Sequence, residues 1–196
     1  MRNPELTRLI ILGKSSLLFN TQGYKATSLS EICNATKLTK GAIYKNFKSK
    51  SELEKEALLF MCMKLLKDVA LEISSESDAE NKLYAILTYF ERYHANPPFI
   101  GGCPLMNASI EVDDSNPDLK IIVKDIMKLM HDSLCQVLMN GMEHGQVKKD
   151  TDVTDLASVI ISSLEGAVMM IKIMDSNKHM AATSKYLKNE IRRALA

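Results

Sequence analysis

Between residues 39 and 50 the chain sets hydrogen-bond donors beside unusually small residues. Lys40, Lys45 and Asn46 carry groups that can reach the edges of bases, and Thr39, Tyr44 and Lys50 carry donors suited to phosphate oxygens. Gly41 and Ala42 lack bulk, so a helix bearing them on its outer side could bring its backbone close to base edges in a major groove. Ile32, Leu38, Ile43 and Phe47 are the apolar residues available to hold that helix against a support. The chemistry on offer is recognition, not bond making.

Other reactive side chains assemble into nothing comparable. Cys33, Cys62, Cys103 and Cys135 are widely spaced and form no CxxC pair, which argues against a zinc ribbon or a disulfide scaffold. His94, His131, His144 and His179 make no H-x-x-x-H pattern, so no metal or other cofactor is expected. There is no G-x-S-x-G elbow and no phosphate-cradling glycine loop, so a small helical enzyme is disfavoured. Cys103 precedes Pro104, where a helix can start. A thiol at a helix N-terminus can ionise easily and react with oxidants, or it can simply fill a small space beside the Gly101-Gly102 turn.

The elements that must position these residues are helical. Leu6, Leu9, Ile10, Leu17 and Leu18 recur at helical spacing over about 5–21 and predict one buried stripe, with Gly23 as its stop. Ser28 and Glu31 have the spacing of a capping box, opening a helix of about two turns that ends before Lys37. Thr39 starts a second short helix through Phe47. A helix from about 49 to 74 follows, opened by Ser49 and Glu52. Short helix, turn and short helix over 28–47 is the skeleton of a helix-turn-helix. Further helices are expected at about 79–94, 104–111, 117–144, 152–174 and 177–194, with breaks at Pro97-Pro98, Gly101-Gly102, 113–117, Gly145–Thr151 and Asp175-Ser176. No segment alternates as a strand does. The expected fold is all-α: a DNA-binding head over 1–50 and a helical body over 51–196, with the 49–74 helix as connector.

Composition agrees. The chain has 196 residues, 46% of them apolar, with eight Gly, five Pro and no Trp, a mix that favours helices and can fill a core. No run of 18 apolar residues occurs, so no membrane span is expected, and a cytosolic location follows from the absence of a signal-peptide pattern. The net charge of +1 hides an asymmetry. Residues 1–50 hold nine Lys or Arg against two Glu, a net +7, and the remainder holds 16 basic against 22 acidic residues, a net −6. A basic head on an acidic body is the charge footprint of a nucleic-acid reader.

The run TSLSEICNATKLTKGAIYKNFKSKSEL resembles the TetR-family signature, a helix-turn-helix ending in G-x-x-Y-x-x-F and followed by K-x-K-x-x-L. Gly41, Tyr44, Phe47, Lys48, Lys50 and Leu53 stand at the matching places, and Phe19, Gly23, Tyr24 and Thr27 fit the first helix and its exit. The resemblance covers roughly residues 5–60. It implies that Lys40 reads bases, that Tyr44 and Lys50 touch the backbone, that Thr39 caps the reading helix, and that Thr27 and Ser28 present a hydroxyl and a helix N-terminus to phosphate. Three residues depart from the pattern: Lys37 where a turn Gly is usual, Cys33 for Ala, and Asn46 for His. The resemblance also implies a homodimer joined through the last two helices. Leu156, Ile160, Leu164, Ala167, Ile171, Tyr186, Leu187 and Ile191 are the expected interface, and two heads about one helical turn apart (~34 Å) predict a palindromic operator of double-stranded DNA.

Eleven of the twelve methionines lie after residue 60, as suits either an adaptable apolar pocket or plain core filling. Met61, Phe90, Cys103, Met106, Asn107, Glu111, Met127 and Met170 are the pocket candidates for a small-molecule effector. Asn107 and Glu111, four apart, either orient that ligand or hydrogen-bond to a neighbouring helix. The expected function is a repressor released by a ligand. The alternatives are the same DNA-binding output switched at Cys103, and a non-enzymatic helical interaction module whose basic head binds acidic partners.

Overall fold

The computed structural model describes residues 4–112 and 116–196, so most of the break expected at 113–117 lies outside the described residues. Among the described residues the elements are helices α1 (Pro4–Gln22), α2 (Leu29–Thr36), α3 (Lys40–Tyr44), α4 (Lys50–Ser74), α5 (Ala79–Glu91), α6 (Pro104–Val112), α7 (Pro117–Glu143), α8 (Val153–Met174) and α9 (Lys178–Ala194). No strand occurs among them; one isolated bridge ties Val147 to Leu195. The all-α expectation holds.

Polar caps set the helix starts. The Ser28 hydroxyl accepts from the Glu31 amide while the Glu31 carboxylate accepts from the Ser28 amide, the reciprocal box that the sequence spacing implied. Thr39, Asp78 and Asp152 cap α3, α5 and α8 with the side chain alone, accepting from amides of the first turn. At the end of α2, Lys37 takes up left-handed backbone, φ 57°, where a Gly is unstrained.

The chain divides into two compact units that cut across the expected boundary at residue 50. The first holds the described residues of 1–64 together with those of 99–126, so α6 and the start of α7 join the head. The second holds 65–98 and 127–196.

In the first unit α1 turns a different face inward from the one expected. Its buried residues are Ile11, Leu12, Ser15, Ser16, Phe19 and Asn20. Leu6, Leu9, Ile10 and Leu17 are exposed and Leu18 is half-buried. Apolar periodicity could not show this, because the inward face is built partly from small and polar residues. Ser16 donates its hydroxyl to the Ala57 carbonyl of α4 at 3.4 Å, an approach that a bulkier side chain would block.

In the second unit α9 packs on α8 and α5. Met180, Ser184, Leu187 and Ile191 form its inner face. Glu91 at the end of α5 receives the Ser184 hydroxyl and the Lys188 ammonium. Burial alone would raise its pKa, but those two partners outweigh it and hold the carboxyl below its ordinary value. Helix α8 has a mean hydropathy of 1.7 over 18 residues, enough by length and composition to cross a membrane. Its apolar residues divide into a core face of Ala157, Ile160, Leu164, Ala167, Val168 and Ile171 and an outer stripe of Val159, Met169 and Ile173.

Candidate nucleic-acid interface

Helix α3 is shorter than the expected 39–47: five residues, after which Lys45 and Asn46 form a turn. Two contacts end it. The Asn46 side chain bonds back to the Ala42 carbonyl at 2.9 Å. Arg8 of α1 places its guanidinium 4.2 Å from the Phe47 ring centre and binds the Asn46 carbonyl and the Glu56 carboxylate. Ile43 and Phe47 are buried beneath, with Ile32 of α2. Sequence reading did not assign Arg8 a role; a single basic residue on an apolar helix gives no local signal.

The support leaves an outward surface. Thr39, Lys40, Gly41, Tyr44 and Lys45 are exposed, and Ala42 is half-buried. The Lys40 ammonium lies 5.9 Å from the centre of the Tyr44 ring, so the two residues share one face. The Thr39 hydroxyl accepts from the Ala42 amide at 3.2 Å.

The remaining expected DNA contacts are placed differently. Thr27 is buried and its hydroxyl donates to the Gly23 carbonyl at 2.7 Å, so it has no surface from which to meet phosphate. This corrects the expectation for that residue: it locks the α1–α2 turn. Ser28 is exposed, with its hydroxyl engaged in the α2 cap. The Lys50 ammonium donates to the Tyr24 carbonyl at 2.7 Å and pairs with Glu54 at 3.1 Å. The Asn46 amide is occupied by its own helix. The exposed donors of α3 and its exit are Lys40, Tyr44 and Lys45.

The turn that feeds α2 is held from two sides. Lys50 grips the Tyr24 carbonyl from α4. From α6, the Glu111 carboxylate accepts from the amides of Tyr24 and Lys25. Gly23 has φ 94°, and a Cβ there would lie 2.8 Å from Glu111 Oε2, so both backbone and space call for Gly. Tyr24 stacks on Phe19 with ring centres 5.0 Å apart. Burial, and then the nearby Cys62, Glu111 and Glu54, push its phenol far above the ordinary tyrosine value.

A second clasp lies one turn earlier. Asn20 donates to the carbonyls of Ile100 at 2.8 Å and Gly102 at 3.0 Å. Asn107 of α6 donates to Asn20 Oδ1 at 3.0 Å and to the Gly101 carbonyl at 2.9 Å. Gly101 has φ 103°, and a Cβ there would overlap the Asn20 carbonyl. Of the two roles open to Asn107 and Glu111, hydrogen bonding to a neighbouring segment is the one seen. Asn20 was missed because a buried Asn looks like any surface Asn in sequence.

The other pocket candidates are scattered. Met61, Cys103 and Met106 belong to the first unit with Asn107 and Glu111; Phe90, Met127 and Met170 belong to the second. Met61, Phe90 and Cys103 are buried, Met106 and Met170 half-buried, and Met127 exposed. Cys103 is 1% exposed, so an oxidant reaches its sulfur only if the start of α6 opens. A groove of about 550 Å³ in the second unit is lined by Glu91, Asn177, Ala181, Lys185, Lys188, Asn189 and Arg192 and shares no residue with the candidates. Among the described residues no three His, Cys, Asp or Glu are grouped to hold a metal ion.

The expected interface residues also sit inward. Ile160, Leu164, Ala167, Ile171, Leu187 and Ile191 are buried within the one chain, and Leu156 is half-buried. Of the set only Tyr186 is exposed; Val159, Met169 and Ile173 of α8, which the expected set does not include, are exposed as well. The reason is period: residues one position apart on α8 fall about 100° apart, and both faces are apolar.

Comparison with known proteins agrees with this geometry. The profile described as bacterial regulatory proteins, tetR family, matches residues 11–57. The one described as tetracyclin repressor-like, C-terminal domain, matches residues 79–187. A TetR transcriptional regulator from Chloroflexus aurantiacus is 31% identical, with a TM-score of 0.94, over 100% of this chain and 98% of that one. A TetR-family regulator from Cytophaga hutchinsonii is 24% identical with a TM-score of 0.91, over 100% and 98% of the two chains. The HTH-type transcriptional repressor DhaR of a Mycobacterium species is 21% identical over 168 residues, 83% of this chain and 81% of its own length. With a head that presents Lys40 and Tyr44 from a capped helix and a body of the matching type, this chain belongs to the TetR family of DNA-binding transcriptional regulators, which are not enzymes.

Proposed function

We propose that the protein is a homodimeric repressor of the cytoplasm that binds a palindromic operator through α2 and α3 and is released by a small-molecule ligand. The observation that carries this reading is the exposed surface of α3, where Lys40, Tyr44 and Lys45 stand free above a fully packed support. Donors of that kind read base edges and phosphates. DhaR, similar over most of the chain, is named a repressor, which supports the sign of regulation.

Release rests on the two clasps. Asn107 and Glu111 fasten α6 to the last turn of α1 and to the turn that feeds α2. A ligand that displaces α6 pulls on backbone that sets the tilt of the reading helix. Only one tilt fits the operator, so the ligand shifts the population toward the free protein. Burial of Cys103 disfavours a thiol switch.

The test is selection from a pool of random duplexes at near-physiological salt. Recovery of two inverted half-sites about 10 base pairs apart, with the half-site changed in the Lys40→Ala protein, is the expected result. Recovery of unrelated sequences with a steep salt dependence would leave only an electrostatic patch.

A further inference from the structure

Helix α1 carries an apolar stripe that nothing in the first unit covers. Leu6, Leu9, Ile10 and Leu17 are 39–57% exposed and share one face at helical spacing. At the centre of that face stands Gly13, mid-helix, with nothing within 4 Å of where its Cβ would be. A Gly inside a helix is destabilising relative to Ala. At Gly23 and Gly101 positive φ and close neighbours justify the residue. Gly13 has neither reason within the chain.

The pattern of bulk, gap and bulk is self-complementary. A two-fold contact requires each patch to fit a copy of itself. Two antiparallel α1 helices crossing between residues 10 and 13 bring each Ile10 over the partner copy's bare glycine position and each Leu6 against the other copy's Leu17 position. The missing side chain lets the axes come closer than an all-leucine contact would allow. We infer that α1 is a contact surface between copies of this protein bound side by side on DNA. The inference rests on the DNA-binding reading and goes beyond it.

Area decides why DNA is needed. Four partly exposed aliphatic side chains on each copy fall far short of the ~1,200 Å² that stable interfaces bury. In free solution such a contact does not hold. On one duplex the second copy is already at high effective concentration, and a weak contact then appears as cooperative binding. The stripe lies in the first unit with α2 and α3, whereas the outer stripe of α8, taken as the homodimer face, lies in the second.

The test uses a mixed-sequence duplex of a few hundred base pairs at low salt, where binding needs no operator. Binding density is read against free protein. The wild type is expected to give a sigmoidal isotherm. Gly13→Val, whose Cβ enters open space on its own chain, and Ile10→Ser are each expected to give a hyperbolic one, with single-site affinity on a short duplex within about twofold of wild type. Thermal unfolding of Gly13→Val is expected not to fall, which separates loss of contact from loss of fold. A hyperbolic wild-type isotherm overturns the proposal and assigns the stripe to a different protein or a lipid surface. Unchanged cooperativity in both variants overturns it too. Absence of any DNA binding overturns both this proposal and the DNA-binding reading, and is told apart from the other failures by the short duplex.

Discussion

At the scale of single residues, the head depends on a few backbone positions that side-chain pattern alone does not reveal. Lys37 holds φ 57°, and a left-handed backbone costs a residue with a Cβ about 1 kcal/mol more than Gly. Lys37→Gly is therefore expected to raise the unfolding free energy by about that amount, read as a higher urea midpoint with an unchanged slope. Gly101 is the opposite case. Gly101→Ala drives a methyl into the Asn20 carbonyl and is expected to destabilise by ~1–3 kcal/mol. Gly145→Ala, also at positive φ but with open space around it, carries the backbone penalty alone. Equal losses for the two would show that the α1–α6 clasp contributes nothing. Lys37 was recognisable in sequence as a departure from the family pattern. The partner of Gly101 was not, because Asn20 lies far away along the chain and only the fold brings it near.

At the scale of elements, helices with clear punctuation were legible. Ser28 with Glu31, Thr39, Pro104 and Pro117 mark starts that the structure places within a residue or so. The face of α1 and the outer face of α8 were not legible. Leucines outnumber serines on the α1 surface, so an apolar count selects the exposed stripe, while Ser15, Ser16 and Asn20 go inward, Ser16 and Asn20 to bond backbone carbonyls. The α2 cap makes a pH prediction. The Ser28 amide and hydroxyl hold the Glu31 carboxyl below its ordinary value. A carboxyl with a depressed folded pKa adds stability that is present above its unfolded pKa and lost as pH falls through the folded one. Protection of the α2 amides, each rate taken relative to its intrinsic rate at the same pH, is expected to fall across that acid window in the wild type and to show less pH dependence in Glu31→Gln. A flat profile in the wild type would mean the cap contributes little.

At the scale of the whole molecule, two kinds of surface remain to be matched with partners. The outer stripe of α8, with Ile173 74% exposed and Gly166 opening onto empty space, is the face proposed for the homodimer. Ile173→Asp with Val159→Asp is expected to turn the sedimenting species from dimer to monomer, and Leu164→Asp to unfold the chain instead. A variant pair that stays dimeric would move the interface elsewhere. The charge division of the sequence, basic over 1–50 and acidic beyond, gave the DNA-binding reading its direction. A ligand pocket is the least legible feature in sequence, because its shape belongs to a cavity that no spacing rule encodes; Asn107 and Glu111 at helical spacing do not reveal that they fasten α6 to the α1–α2 region.

The central claim is that Lys40 and Tyr44 on α3 recognise DNA sequence. The most direct measurement is the affinity of the purified protein for the duplex flanking its own coding sequence, at near-physiological salt and with scrambled competitor. The account expects competitor-resistant binding that weakens in Lys40→Ala and Tyr44→Ala, by about tenfold or more where a base contact worth ~1–3 kcal/mol is lost. Binding in which both variants match the wild type, or which the competitor abolishes for wild type and variants alike, would contradict it.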